Sequence, residues 1–241
     1  MLSVIGIGPG KRDGITLEAL EALNKSEFIL GYDLYVELVR PYLSPGKTYI
    51  TTKMTREAER CQRALELASE GKEVALVCSG DPGVYALSSL VLELSSSYPK
   101  VELSFISGVT SALSGSSLLG APLSHDFAVI SLSDLLTPYE LIEKRIECAS
   151  MGDFCICLYN PASKKRADYL KNMCDIILKY KPKETVCAVC KCIGREGETK
   201  EIMTLSELRD YKADMFSTVF IGNKDTFAYN GYMVTPRGYK I

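Results

Sequence analysis

One recurrence narrows the fold more than any other feature. Three times, an apolar strand runs into a bend of small, glycine-containing residues that opens a helix. Leu2 to Ile7 enters Gly6-Ile7-Gly8-Pro9-Gly10, and Val74 to Cys78 enters Ser79-Gly80-Asp81-Pro82-Gly83. Val101 to Phe105 leads into Ser107-Gly108-Val109-Thr110-Ser111-Ala112. Uninterrupted apolar strands are covered on both faces, as in parallel sheets. Repeated strand–helix units require such a sheet, with right-handed crossovers. Between these landmarks Leu17, Leu20 and Leu23 line one face of a helix capped by Thr16. Ala58, Cys61, Ala64, Leu65 and Ala68 line another that ends at Gly71. Short strands are expected at Phe28 to Leu30 and Thr48 to Thr51.

A second series follows Gly120-Ala121-Pro122-Leu123. Phe127 to Ser131 and Phe154 to Tyr159 read as strands, with a helix between them from Pro138, and a further helix spans about Ser163 to Tyr180. Val186 to Ile193 and Glu198 to Met203 are joined by Gly194-Arg195-Glu196-Gly197. So short a link implies an antiparallel hairpin and hence a mixed second sheet. The expected fold is α/β in two domains: a parallel sheet in residues 1–117 and a mixed sheet in residues 118–241.

Composition removes several function classes. Net charge is −2, and neither half departs far from neutrality. No basic half or tail is present to neutralise phosphates, which points to a small-molecule partner and away from nucleic acid. No apolar run approaches the roughly 18 residues of a membrane helix. The opening MLSVIGIGPG reads as a strand and turn, not an export signal. A cytoplasmic setting is expected, and there nine cysteines read as reduced thiols.

The three bends differ in what they imply. Gly6, Gly8 and Gly10 match a methyltransferase-like GxGxG. A dinucleotide fingerprint would need glycine where Lys11 stands, and Pro9 removes a backbone donor. Ser79-Gly80-Asp81 follows a buried strand, at the carboxyl edge where open α/β sheets bind ligands. Gly80 and Gly83 permit close backbone approach, and Asp81 can accept from a ribose or an amino group or can cap the next helix. The small residues Ser114 to Ser117 leave room for an adenosine-sized group or allow close helix–sheet packing.

Taken in order, GIGPG, SGDPGVY and SGVTSA resemble the S-adenosylmethionine (SAM)-dependent tetrapyrrole methylase family. The likeness continues through GAPLSHDFAVISLSDLLTP, LYNPASKKR and MVTPRGY. These later segments are similar to the members that methylate ring carbon 17 of precorrin-3B or cobalt-factor III, with ring contraction, in cobalamin synthesis. The resemblance implies two α/β domains with a cleft between them, a homodimer, SAM as methyl donor with S-adenosylhomocysteine as product, and a tetrapyrrole substrate. It assigns to the donor Pro9, Ser79, Gly80, Asp81, Val84, Thr110 and Ser111, then Asn160, Gly194, Thr235 and Pro236. It assigns acid–base roles to Asp33 and Lys53. His125, the single histidine, lies in the resembling LSHDF segment and is a third catalytic candidate, with Ser131, Ser133 and Asp134 along the same wall. Lys11, Arg12, Arg56 and Arg237 are candidates for substrate carboxylates. Two alternatives stay open. One is a family member acting at another ring carbon. The other is a metal- or redox-binding protein built on Cys187, Cys190 and Cys192. Against the latter, a strand over Val186 to Ile193 would point Cys187 away from the other two, so no metal is expected.

Overall fold

The computed structural model describes residues 1–163 and 166–240 and divides into two units, Met1–Ser111 and Ala112–Ile241. In the first unit the elements are β1 (Leu2–Gly6), α1 (Leu17–Lys25), β2 (Phe28–Tyr32), α2 (Asp33–Val39), β3 (Thr48–Thr52), α3 (Glu57–Ser69), β4 (Val74–Cys78), α4 (Ser88–Ser95) and β5 (Leu103–Ile106). The five strands form one sheet in the order β3-β2-β4-β1-β5, every neighbouring pair parallel. Thr16 caps α1 through its hydroxyl, which accepts from the Ala19 amide at 3.1 Å. Gly71, at φ +83°, closes α3, its amide reaching the Ala68 carbonyl at 3.0 Å.

Alternate residues of β1, β2 and β4 face opposite sides, and each side has its own core. Val4, Leu30 and Leu76 pack with Cys61, Leu65 and Val91 of α3 and α4. Ile5, Ile29 and Val77 pack with Ala19, Leu23 and Val36 of α1 and α2. The order explains the division. The chain leaves β1 toward β2 and leaves β4 toward β5, so right-handed crossovers put the following helices on opposite faces. Strands β1 and β4 are neighbours, which makes their carboxyl ends the switch point of the sheet.

The second unit holds α5 (Ser111–Leu119), β6 (Gly120–Ala121), β7 (Phe127–Ser131), α6 (Tyr139–Met151), β8 (Cys155–Tyr159), α7 (Tyr169–Ile177), β9 (Val186–Lys191), β10 (Thr199–Thr204), α8 (Leu205–Arg209), β11 (Ser217–Ile221), β12 (Phe227–Tyr229) and β13 (Tyr232–Val234). Its main sheet runs β10-β9-β11-β8-β7; β7 and β8 are parallel and the other pairs antiparallel. The expected hairpin is the β9–β10 pair. Strand β11, which the sequence patterns did not single out, inserts between β8 and β9. A small sheet, β12-β13-β6, stands apart.

The division between the units falls between Ser111 and Ala112, at the start of α5. Ala112, Leu119 and the sheet residues Cys157, Ala188 and Phe220 share one core, so the helix belongs with the second sheet. A Cβ on Gly115 would come within 2.7 Å of the Phe220 ring, which makes close packing the reason for glycine there. Lys164 and Lys165 of the LYNPASKKR run lie outside the described residues.

Candidate functional site

In the first unit the three glycine bends are joined through their backbones. Gly8 and Gly80 exchange hydrogen bonds, amide to carbonyl, at 3.1 and 2.8 Å. Both have positive φ, +62° and +66°. A Cβ on Gly6 would lie 2.5 Å from the Gly80 carbonyl oxygen and 2.7 Å from the Gly108 nitrogen, and one on Gly108 would lie 2.2 Å from that same oxygen. Glycine at positions 6 and 108 therefore lets the loops after β1, β4 and β5 touch.

Asp81 fastens the arrangement. One carboxylate oxygen accepts from the Gly83 amide at 2.8 Å and the other from the Gly108 amide at 3.1 Å. It thus bridges the β4 and β5 loops in addition to any ligand it meets. Pro9, Ser79, Gly80, Asp81, Val84, Thr110 and Ser111 are all half-buried, as residues lining a site would be. The nearest atom to a Cβ on Gly80 would be Thr110 Cα at 3.5 Å. Apart from Asp81, this edge carries small side chains.

Asp33 and Lys53 lie along the same edge. Tyr32 and Thr52 are paired residues of β2 and β3, and Asp33 and Lys53 each follow by one position. Both are exposed, and Asp33 is the first residue of α2, not part of a turn. The Lys53 carbonyl is held at 3.2 Å by the buried Arg60, whose Nε also donates to the Thr52 hydroxyl at 2.7 Å. Lys11, Arg12, Arg56 and Arg237 are all exposed, and Arg56 pairs with Glu59 at 3.0 Å.

The second unit separates its candidates into two groups. Ser131, Asn160 and Gly194 follow or end β7, β8 and β9, three strands that point the same way, so they share one edge. Asn160 has φ +52°, and its Nδ2 donates to Ser131 Oγ at 3.0 Å; that oxygen also accepts from the Ser133 amide at 3.3 Å. Gly194, at φ +69°, donates its amide to Glu198 at 2.6 Å.

His125 and Thr235 lie at the other end. His125 precedes β7, and the four steps from Phe127 to Ser131 carry the chain about 13 Å. His125 is exposed, and its Nδ1 accepts from the Asp126 amide at 2.9 Å. The fully buried Thr235 hydroxyl donates to the Pro122 carbonyl at 2.8 Å, meets Thr226 Oγ1 at 2.8 Å and lies 3.5 Å from Cys155 Sγ. Its polar atom is thus engaged within the unit. Pro236 follows it, half-buried.

The sequence analysis gives no role to Arg166, which ends the LYNPASKKR run, or to Tyr169. Arg166 donates to the Leu132 carbonyl at 3.1 Å and to Ser163 Oγ at 3.2 Å, and it lies 3.8 Å from Asp134. Tyr169 donates to the other Asp134 oxygen at 2.7 Å, and that bond raises the phenol pKa. Only Asp134 is marked by the chain's patterns. The available signal for the rest was an arginine placed after the NPAS loop.

Seven of the nine cysteines are buried as core residues; Cys148 is exposed and Cys192 half-buried. Cys187 packs with Val189 and Val219 on one face of β9, while Cys190 packs with Cys157 and Phe220 on the other. Burial raises the Cys61, Cys78, Cys174 and Cys190 thiols to about 12, and Cys157 and Cys187 well above the usual value. Protonated thiols on opposite faces make neither a metal site nor a nucleophile. Two surface hollows, of about 440 and 290 Å³, lie among Glu140, Lys144 and Lys179 and among Asp153, Tyr180 and Lys181; neither is lined by an expected binding residue.

An all-parallel doubly wound sheet with glycine loops meeting at its switch point, followed by a mixed α/β unit, defines a class of two-unit α/β ligand-binding enzymes. A family model described as Tetrapyrrole (Corrin/Porphyrin) Methylases matches residues 1–209, and the chain belongs to that family of methyltransferases. It is 48% identical to a protein of Salmonella typhimurium named probable cobalt-factor III C(17)-methyltransferase, with all of both chains covered. It is 36% identical to a Sinorhizobium precorrin-3B C(17)-methyltransferase, over 93% of this chain and 89% of that one. The solved structure of the methyltransferase CobJ superposes with a TM-score of 0.90 at 34% identity, covering 98% of this chain and 99% of that one.

Proposed function

We propose that the chain transfers the methyl group of SAM to ring carbon 17 of cobalt-factor III or precorrin-3B, with ring contraction, on the route to cobalamin. The observation that carries this is the stitched glycine edge at the switch point, with seven half-buried candidate residues along it. The names of the relatives supply the substrate. A fold neighbour, a uroporphyrin-III C-methyltransferase, is described in complex with S-adenosyl homocysteine, which supports the donor.

In this reading Ser79, Gly80, Asp81, Val84, Thr110 and Ser111 bind the donor, and Pro9 shapes the adjoining bend. From the second unit Asn160 and Gly194 are assigned to it; Thr235 and Pro236, at the other end of the sheet, are the alternative assignment. SAM supplies a methyl on a sulfonium. The ring carbon bonds to that methyl carbon as the methyl–sulfur bond breaks, and S-adenosylhomocysteine leaves as a neutral thioether with the electron pair of that bond. Such a displacement depends mainly on alignment, which pre-formed loops provide. Ring contraction also moves protons. Asp33 and Lys53, side by side past paired strand residues, are suited to accept and return them. His125 is the third proton-transfer candidate. The nine free cysteines favour a reducing, cytoplasmic setting, and the homodimer rests on the family likeness alone.

Incubation with methyl-labelled SAM and a panel of precorrin and cobalt-precorrin intermediates tests the assignment. The expected product carries the label at carbon 17. Label at another ring carbon would move the protein to a different step, and no labelled tetrapyrrole would remove the reading.

A further inference from the structure

Between β7 and α6 the chain makes a short loop, and its two ends are fixed to the same helix. At the first end Ser133 donates to Ser131 Oγ, Asp134 accepts from Tyr169 of α7 at 2.7 Å, and Arg166 holds the Leu132 carbonyl at 3.1 Å. At the second end the Tyr139 ring lies 4.8 Å from the Tyr169 ring, and Asn172 of α7 donates to the Tyr139 hydroxyl at 3.2 Å. Between these anchors Leu135 and Leu136 are 74% and 98% exposed. A single exposed leucine on a surface means little. Two adjacent ones, at the tip of a loop with both stems pinned, are held out at a cost that an apolar partner would offset.

The place of the loop says what that partner is. It leaves β7 directly after Ser131, whose hydroxyl holds Asn160, so the leucines stand at the edge of the sheet that carries Asn160 and Gly194. We propose that Leu135 and Leu136 are specificity-determining residues that lie against the apolar face of the tetrapyrrole ring, and that Asp134, Arg166 and Tyr169 are positioning residues that present them. The inference rests on the function proposed above. Carboxylates at the ring's periphery need cations, but the flat ring itself offers unsaturated carbon, and aliphatic side chains on a fixed loop bury it without ordering a flexible one.

The test uses the full chain carrying Leu135→Ser and Leu136→Ser together, assayed with SAM and cobalt-factor III. The expected result is a KM for cobalt-factor III raised at least tenfold, with the SAM Kd by calorimetry and the sedimentation coefficient unchanged. Tyr169→Phe, which keeps the ring contact and removes one bond to Asp134, should raise the same KM by a smaller factor. An unchanged KM in an active double variant overturns the inference. So does a changed sedimentation coefficient, which would give the leucines to a second copy of the chain. A wild-type protein that methylates no tetrapyrrole removes the proposed function, and this inference with it.

Discussion

The two units use their strand ends differently. In the first, all five strands are parallel, so every loop that follows a strand emerges at one edge. Pro9, Asp33, Lys53, Ser79 to Asp81 and Thr110 are together for that reason alone. In the second, β11 runs against β8 and β9, so beginnings and ends of strands share each edge. The candidates that the family resemblance gives there fall into two groups, with Ser131, Asn160 and Gly194 at one edge and His125 and Thr235 at the other. A parallel sheet gathers residues by topology; a mixed sheet gathers them only once the strand order is known.

The sharpest way to break this contrast is to separate the stitched loops. Gly108→Ala puts a methyl 2.2 Å from the Gly80 carbonyl, against backbone that has no rotamer to yield. The expected cost is at least about 3 kcal/mol in urea unfolding, with loss of SAM binding. Gly71→Ala is the control in the same unit. It has positive φ but open space around it, and about 1–2 kcal/mol is expected, with SAM binding kept. Equal costs at the two positions would mean that the close approach of the loops is not a constraint.

Alkaline unfolding compares the cores. Four of the thiols raised by burial lie in the second unit and two, Cys61 and Cys78, in the first. A thiol with its folded pKa raised is more protonated folded than unfolded above pH 9. Its stabilisation is complete below the ordinary value of 9.0 and is lost as pH rises from there toward about 12. Each such thiol removes up to about 1.4 kcal/mol per pH unit in that window. Urea unfolding at pH 7.5 and 9.5 should therefore show a marked loss. Cys190→Ala should lose less between the two pH values than wild type; a loss as large as wild type's would mean that Cys190 does not titrate as a core thiol.

Asp81→Ala removes the acceptor that closes the β4 loop on Gly83 and the one that joins it to Gly108 of the β5 loop, and SAM affinity should fall more than tenfold by calorimetry. Asp81→Asn keeps one acceptor and sets its amide against a backbone N–H, so its stability should lie between wild type and alanine. If asparagine matches alanine in binding while retaining wild-type stability, the carboxylate acts on the donor directly and not through the loops.

What the chain reveals of itself follows from the same contrast. Val74 to Cys78 with Ser79-Gly80-Asp81 needed no partner to be read, because a continuous apolar run is buried on both faces and can end at only one kind of edge. The fixed ends of the Ser133–Pro138 loop were not legible, since Tyr169 and Asn172 lie more than thirty positions downstream and join it only when β7 and β8 pair. Strand β11 was missed for a related cause. Ser217 to Ile221 has the composition of a buried strand, yet nothing local says that it inserts between β8 and β9 and sets their edges.

The smallest effects test the second unit's divided edges. Asn160→Ala leaves Ser131 Oγ with the Ser133 amide and removes a polar group from the edge shared with Gly194, and a SAM Kd raised three- to tenfold is expected. His125→Ala removes an exposed side chain whose Nδ1 accepts from the Asp126 amide and lies 3.4 Å from the Asp126 carboxylate, so folding and the SAM Kd should hold. If His125 moves a proton, kcat falls while that Kd stays. The reverse outcome, with His125→Ala weakening SAM and Asn160→Ala leaving it untouched, would place the donor at the opposite end of β7. Thr235→Val then decides between them. Its hydroxyl is committed to Pro122 and Thr226, so a donor at that end would lose affinity in step with the stability lost there, whereas a donor at the Asn160 end would not register the change.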